Sequence, residues 1–273
     1  VNILNCNNLP YALIDRLRQA NPVVLTVANS VTIDKVADGL SAIGASPIMS
    51  KEPAEAAAMV QLANAITINL GTITEAQLKQ IRAVLDANAN RLPVVLDPVA
   101  VGSVPYRLKI AHQLLADYHF TVIRGNAGEI AALTGAKWQA HGIDAGQGSM
   151  DLATIAQQCA HQYHSLVALS GPTDFVTDGQ DVFTNPLGDQ YLALNVGSGD
   201  MLSSTLAAYL ALGEAPLPTC SLACQTFAFA GVQAARDVRG LGQWQSRFFD
   251  ELCQLTSTSV QEGVVERMNK NND

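Results

Sequence analysis

Five short runs of apolar, mostly β-branched residues, each followed by a longer stretch of helical periodicity, constrain the fold of this chain more than any other feature. Residues 23–27, 65–70, 93–96, 121–123 and 166–169 are apolar nearly throughout rather than alternating. Strands of that kind are covered on both faces, as in a parallel sheet. The stretches between them carry helix signals. Thr74-Glu75-Ala76-Gln77 has the spacing of a capping box, with Leu78, Ile81 and Leu85 following on one face. Leu152, Ile155, Ala156 and Cys159 repeat with helical spacing, and Trp244, Phe248, Leu252 and Leu255 mark a last amphipathic helix. The alternation predicts an α/β fold: a mostly parallel central sheet with helices on both faces.

Beyond Ser170 the pattern shortens. Residues 175–177, 182–184 and 191–194 read as strands separated by Asp178-Gly179 and Leu187-Gly188-Asp189, which read as hairpin turns. Short antiparallel strands at the edge of the sheet are therefore expected. From Gly199 the chain reads as helical to about Ala235, with a break at residues 214–218. No Pro/Ser linker, low-complexity tract or internal repeat divides the sequence. Residues 1–273 read as one domain, with 264–273 a polar, frayed tail.

Composition narrows the function. Apolar residues make up 48% and charged residues 15% of the 273, which excludes a disordered chain. Sixteen Lys and Arg against 24 Asp and Glu argue against nucleic acid as a partner. A small phosphorylated ligand held by backbone N–H groups stays compatible with that balance. No apolar run approaches the ~20 residues that span a bilayer, so no membrane partner is expected. The N-terminus has no basic stretch followed by an apolar core, and the five cysteines form no CxxC pair. A cytoplasmic chain with buried, reduced thiols is the expectation. His161 and His164 read as solvated surface.

Four polar clusters stand where strands end. In Asn195-Val196-Gly197-Ser198-Gly199-Asp200 the glycines allow close approach of a ligand. The helix that follows would present free N–H groups at Gly197, Ser198 and Gly199 as an anion hole. Asp200 is also an ordinary residue for a helix start, so spacing alone leaves both readings open. Neither GxxxxGK[ST] nor GxGxxG is present. Asp97, in Leu96-Asp97-Pro98-Val99, points toward the crevice beyond the carboxyl ends of the strands. In Arg124-Gly125-Asn126-Ala127-Gly128-Glu129, an amide and a carboxylate three residues apart suit a hydrated Mg²⁺, and equally suit a plain capping box. Ser170-Gly171 ends another buried strand, where the alternative is a simple turn.

Six motifs occur in the order found in hydroxyethylthiazole kinases, which belong to the ribokinase-like superfamily. They are Gly44-Ala45-Ser46-Pro47-Ile48-Met49, Asn69-Leu70-Gly71-Thr72, Leu96-Asp97-Pro98-Val99, Arg124-Gly125-Asn126-Ala127-Gly128-Glu129-Ile130, Gly142-Ile143-Asp144-Ala145-Gly146 and Gly197-Ser198-Gly199-Asp200. The chain resembles that family from about Pro22 to Leu255. The resemblance implies a ribokinase-like fold and phosphorylation of the primary alcohol of 4-methyl-5-(2-hydroxyethyl)thiazole by ATP with Mg²⁺, a thiamine salvage step. It implies that Asp200 faces the substrate hydroxyl as general base, and that Met49, Gly197, Asn29 and Val31 line the thiazole pocket. Arg124, Ser170 and Asn126 would touch ATP, while Asp97 and Glu129 would hold Mg²⁺ directly or through water. A homotrimer with sites between subunits is also implied.

The sequence departs from the family at several positions. Asp200 stands where members usually carry Cys; a carboxylate ionised at neutral pH is a better proton acceptor than a thiol with a pKa of about 8.5. Leu25, Ala28, Asp34 and Asp38 replace a His, a Thr and two Asn in the first substrate segment, and Ala100-Val101 replaces Gly-Ala. The acceptor is therefore less constrained than the reaction class. Three other readings stay open: a ribokinase-like kinase for another small heterocyclic alcohol, a nucleotide-dependent hydrate dehydratase, and a non-catalytic binding protein on the same fold.

Overall fold

A computed structural model of the chain describes residues 3–4, 8–136 and 151–270. Its strands are β1 (Ile3–Leu4), β2 (Val23–Val27), β3 (Ser46–Ile48), β4 (Ala65–Asn69), β5 (Val94–Asp97), β6 (Val122–Asn126), β7 (Leu166–Ser170), β8 (Asp174–Thr177) and β9 (Val182–Asn185). The helices are α1 (Ala12–Ala20), α2 (Ile33–Ile43), α3 (Ala56–Leu62), α4 (Glu75–Asn88), α5 (Pro105–Asp117), α6 (Ala127–Thr134), α7 (Leu152–Tyr163), α8 (Gln190–Leu194), α9 (Ser198–Leu210), α10 (Pro216–Ala234), α11 (Leu241–Gln254) and α12 (Ser257–Lys270).

All of these strands join one sheet in the order β1-β9-β8-β7-β6-β5-β4-β2-β3. Pairing is parallel except where β8 runs antiparallel to β7 and β9. The apolar runs explain this arrangement, because both faces of each inner strand are covered. Val24, Ala65, Val95, Val122 and Ala168 face one core, shared with α2, α9, α10 and α11. Their neighbours Leu25, Ile66, Leu96, Ile123 and Val167 face the other, shared with α4 to α7. Asp178-Gly179 makes the β8–β9 hairpin turn as its sequence predicts, with the Asp178 carboxylate accepting from the Gln180 and Asp181 amides.

After β2 the chain moves outward to β3, and after β4 it moves the opposite way to β5. The carboxyl ends of β2 and β4 thus flank the switch point at which open α/β sheets bind ligands.

Three expectations are corrected. Residues 191–194 are not a strand: Asp189 accepts from the Tyr191 amide over 2.9 Å and caps α8, so Leu187-Gly188-Asp189 is a helix entry rather than a hairpin turn. Tyr191 then stacks on Trp244, with centroids 5.9 Å apart. The helix bearing Trp244 is not the last, because α12 follows it. Nor does the chain fray from 264: α12 runs to Lys270, with Val260 and Val264 fully buried. Only Gly263 allows that docking, since a Cβ there would lie 2.5 Å from the Phe229 ring of α10. The short strands β1 and β3 carry too few residues for their periodicity to register. The Gly142–Gly146 motif lies outside the described residues.

Candidate active site

Asn29, Asn69, Asp97 and Ser170 come from segments at or just beyond the ends of β2, β4, β5 and β7, Arg124 comes from within β6 two residues before its end, and the N-terminus of α9 lies across them. Gly197 caps α9 at φ +100°, a conformation that favours glycine, and a Cβ there would meet the Thr32 side chain at 3.0 Å. The turn before it is fixed by Lys35, whose Nζ donates to Asn195 Oδ1 over 3.0 Å and to the Val196 carbonyl over 2.8 Å.

Asp200, in the first turn of α9, is gripped by three donors. Asn69 Nδ2 reaches Oδ1 over 2.9 Å, Asn29 Nδ2 reaches Oδ2 over 3.3 Å, and the Thr32 hydroxyl donates to Oδ2. One turn further along α9, the Ser203 hydroxyl donates to Asp97 Oδ2 over 2.7 Å. Arg124 Nη1 lies 3.5 Å from that same oxygen, and its Nη2 donates to Ser170 Oγ over 2.6 Å. Asp97 Oδ1 and Arg124 Nε are buried with no hydrogen-bond partner among the described residues. Burial pushes Asp97 up to about 7, and the negative charges of Asp200 and Glu129 push the same way; Arg124 and the Ser203 hydroxyl oppose them and lose.

Glu129 and Asn126 form a complete capping box, so the helix-start reading of this pair is correct. Glu129 Oε2 accepts the Asn126 amide over 2.9 Å, and Oε1 accepts the Ala100 amide over 2.8 Å. The second bond accompanies a left-handed conformation at Ala100, φ +61°, which glycine adopts without strain. Among the described residues no cluster of three or more metal-binding side chains is present. Mg²⁺ keeps most of its waters and needs few protein ligands. The unpartnered Asp97 Oδ1 fits that requirement better than Glu129.

One of the three amides expected to form an anion hole is already committed. The Ser198 amide donates back to the Asn195 carbonyl over 3.1 Å, so it is already occupied. The Gly199 and Asp200 amides are the first-turn donors without an acceptor inside α9. Met49 is half-buried just after β3, packed against the core, and Val31 is 69% exposed.

The family's sequence profile, described as the hydroxyethylthiazole kinase family, matches residues 14–258. The chain belongs to the hydroxyethylthiazole kinase family. A hydroxyethylthiazole kinase of Limosilactobacillus reuteri is 56% identical over 252 residues, covering 92% of this chain and 93% of that one. The structure of a hydroxyethylthiazole kinase protein from Pyrococcus horikoshii superposes with a TM-score of 0.82 at 28% identity, covering 89% of this chain and 92% of that one. A ribokinase-like superfamily protein from Enterococcus faecalis superposes at 0.65 with 14% identity, over 94% of this chain and 99% of its own; this shows the fold.

The residues at 25, 28, 34 and 38, read above as departures, mostly fall away from the polar cluster. Leu25 is fully buried in the core, and Asp34 and Asp38 are exposed on α2. Ala28 contributes its carbonyl to Gln77 Nε2, 2.9 Å away. Sequence reasoning gave no role to Asn69, Thr32, Lys35 or Ser203. Only Asn69 had a signal, as a motif residue at a strand end.

Proposed function

We propose that the protein transfers the γ-phosphoryl group of ATP to the primary alcohol of 4-methyl-5-(2-hydroxyethyl)thiazole, a thiamine salvage step carried out in the cytoplasm. What carries this reading, beside family membership, is the convergence of the Asp200 carboxylate with Arg124 at the N-terminus of α9. Phosphoryl transfer asks the protein to align two oxygens on phosphorus and to neutralise charge. Arg124, steadied by Ser170, and the Gly199 and Asp200 amides would receive the nucleotide phosphates and the developing charge on the transferred group. Asp200 would accept the hydroxyl proton as the new O–P bond forms. Gly197, Asn29, Val31 and Met49 would surround the thiazole, with Asn126 on the nucleotide side.

Asp97 Oδ1 is the acceptor left for Mg²⁺, directly or through water, and Glu129 would contribute through water, since its oxygens already take backbone amides. Bound there, Mg²⁺ would neutralise charge on the nucleotide phosphates. The catalytic unit would be one domain, acting as a homotrimer with a neighbouring subunit closing each site. Val31 and Val196, 69% and 63% exposed beside Asn29 and Gly197, support that closure.

Phosphorus NMR of the products tests the reading. A phosphate monoester of the thiazole alcohol is expected with Mg-ATP. ATP-dependent dehydration of a reduced nicotinamide hydrate, without that ester, would overturn it.

A further inference from the structure

Asn69 ends β4 and is buried, 2% exposed, with its amide aimed at the site. Its Oδ1 accepts the Gly71 amide over 2.7 Å. A backbone N–H can only donate, so this bond fixes the orientation of the Asn69 side chain: oxygen toward Gly71, the NH₂ group toward Asp200. Gly71 cannot carry a side chain, because a Cβ would lie 2.2 Å from Asn29 Nδ2 and 2.9 Å from Asn69 Oδ1. The two asparagine amides therefore close over the bare Cα of Gly71 and reach the Asp200 carboxylate together.

An ionised carboxylate offers about four acceptor positions. Asn29 and Thr32 occupy those of Oδ2, and Asn69 occupies one on Oδ1. The remaining position is on Oδ1. Without Asn69, both protein donors would hold the same oxygen, and the carboxylate as a whole would be less restrained against rotation about χ2, a soft torsion for aspartate.

We propose that Asn69 is a positioning residue that fixes Asp200 so that Oδ1 receives the proton of the acceptor alcohol; this rests on the general-base role of Asp200 proposed above. In the step, the alcohol O–H bond breaks and its proton moves to Oδ1. The electron pair released forms the new O–P bond, while the bond from phosphorus to the β,γ-bridging oxygen breaks and its pair leaves on ADP. Asn69 touches neither reactant and acts through the aim of the carboxylate.

The test is a double-mutant cycle on the full chain with Mg-ATP and hydroxyethylthiazole. Asn69→Ala is expected to lower kcat about tenfold to a hundredfold, the scale of a small misplacement of a reacting group, with KM for ATP unchanged. In an Asp200→Ala background the same change is expected to cost nothing further. An equal loss in both backgrounds overturns the role of Asn69 and leaves the base intact. An undiminished kcat in Asp200→Ala overturns the base itself. Asn69→Leu keeps about the same volume and removes the donor without setting a second carboxyl group against Asp200. It decides the matter should the alanine variant not fold: a matching drop in kcat is expected, and a normal kcat overturns the proposal.

Discussion

The guanidinium of Arg124 lies against the Cα of Gly199, so closely that a Cβ built there falls 2.3 Å from Nη1 and 2.8 Å from Nη2. A cation from β6 is thereby held over the positive end of α9. Two positive fields in one place favour an anion at that point. Gly199→Ala would push Arg124 aside. The expected outcome is a fall in kcat/KM for ATP of about 10²–10³, the range for losing one preorganised donor. The unfolding temperature should fall as well, because displacing Arg124 weakens its pairing with the buried Asp97. Unaltered steady-state kinetics would contradict the role of this contact.

Asp97 and Glu129 should respond differently to loss of charge. Asp97→Asn removes the carboxylate oxygen that no donor among the described residues satisfies. It should raise the Mg²⁺ concentration for half-maximal rate by about 10–100-fold, the scale for damaged metal sites. Glu129→Gln disturbs oxygens already committed to the Asn126 and Ala100 amides. Its cost should appear chiefly as a lower unfolding temperature. Magnesium titrations and thermal melts on both variants separate the two.

Asp174 gives a pH dependence of stability. Its oxygens accept from the Gly171 amide over 3.1 Å and Asn185 Nδ2 over 3.0 Å. Burial nonetheless pushes it from 3.8 up to about 6. Between those values the folded chain holds a proton that the unfolded chain has released. Its contribution to stability therefore falls as pH rises through that window, by up to about 3 kcal/mol, and the full cost persists above it. Urea unfolding of the wild type and Asp174→Asn should differ by an amount that shifts in favour of the variant as pH rises from about 4 to about 6. A constant difference would contradict the assignment.

Ala100 holds a left-handed conformation at φ +61°. Ala100→Gly should relieve about 1 kcal/mol of that strain. For a chain of this size the unfolding temperature should rise by about 2–4 °C. A fall in that temperature would mean the Glu129 bond does not force the conformation.

The strands of the central sheet were legible because burial on both faces leaves continuous apolar runs. The polar residues at their ends, Asp97, Arg124 and Ser170, were legible because the topology sends those ends to the crevice. What sequence could not show is pairing across distance. Asn69 and Asp200 are separated by 131 positions, and Ser203 and Asp97 by 106. Only the fold makes each of them a neighbour. The helix of residues 257–270 was illegible for another reason: it is anchored by few apolar side chains, Val260 and Val264 among them, in a polar stretch. Residues 191–194 misled because Tyr and Leu suit a strand as well as a helix, and the capping role of Asp189 decided between them.

The most direct test of the account is ADP release by the purified protein with Mg-ATP, measured with and without hydroxyethylthiazole. The account predicts that the thiazole strongly stimulates release, and that Asp200→Ala lowers the stimulated kcat by about 10²–10⁴ while leaving KM for ATP unchanged. Release indifferent to the thiazole, or a stimulated rate that survives the loss of Asp200, would contradict it.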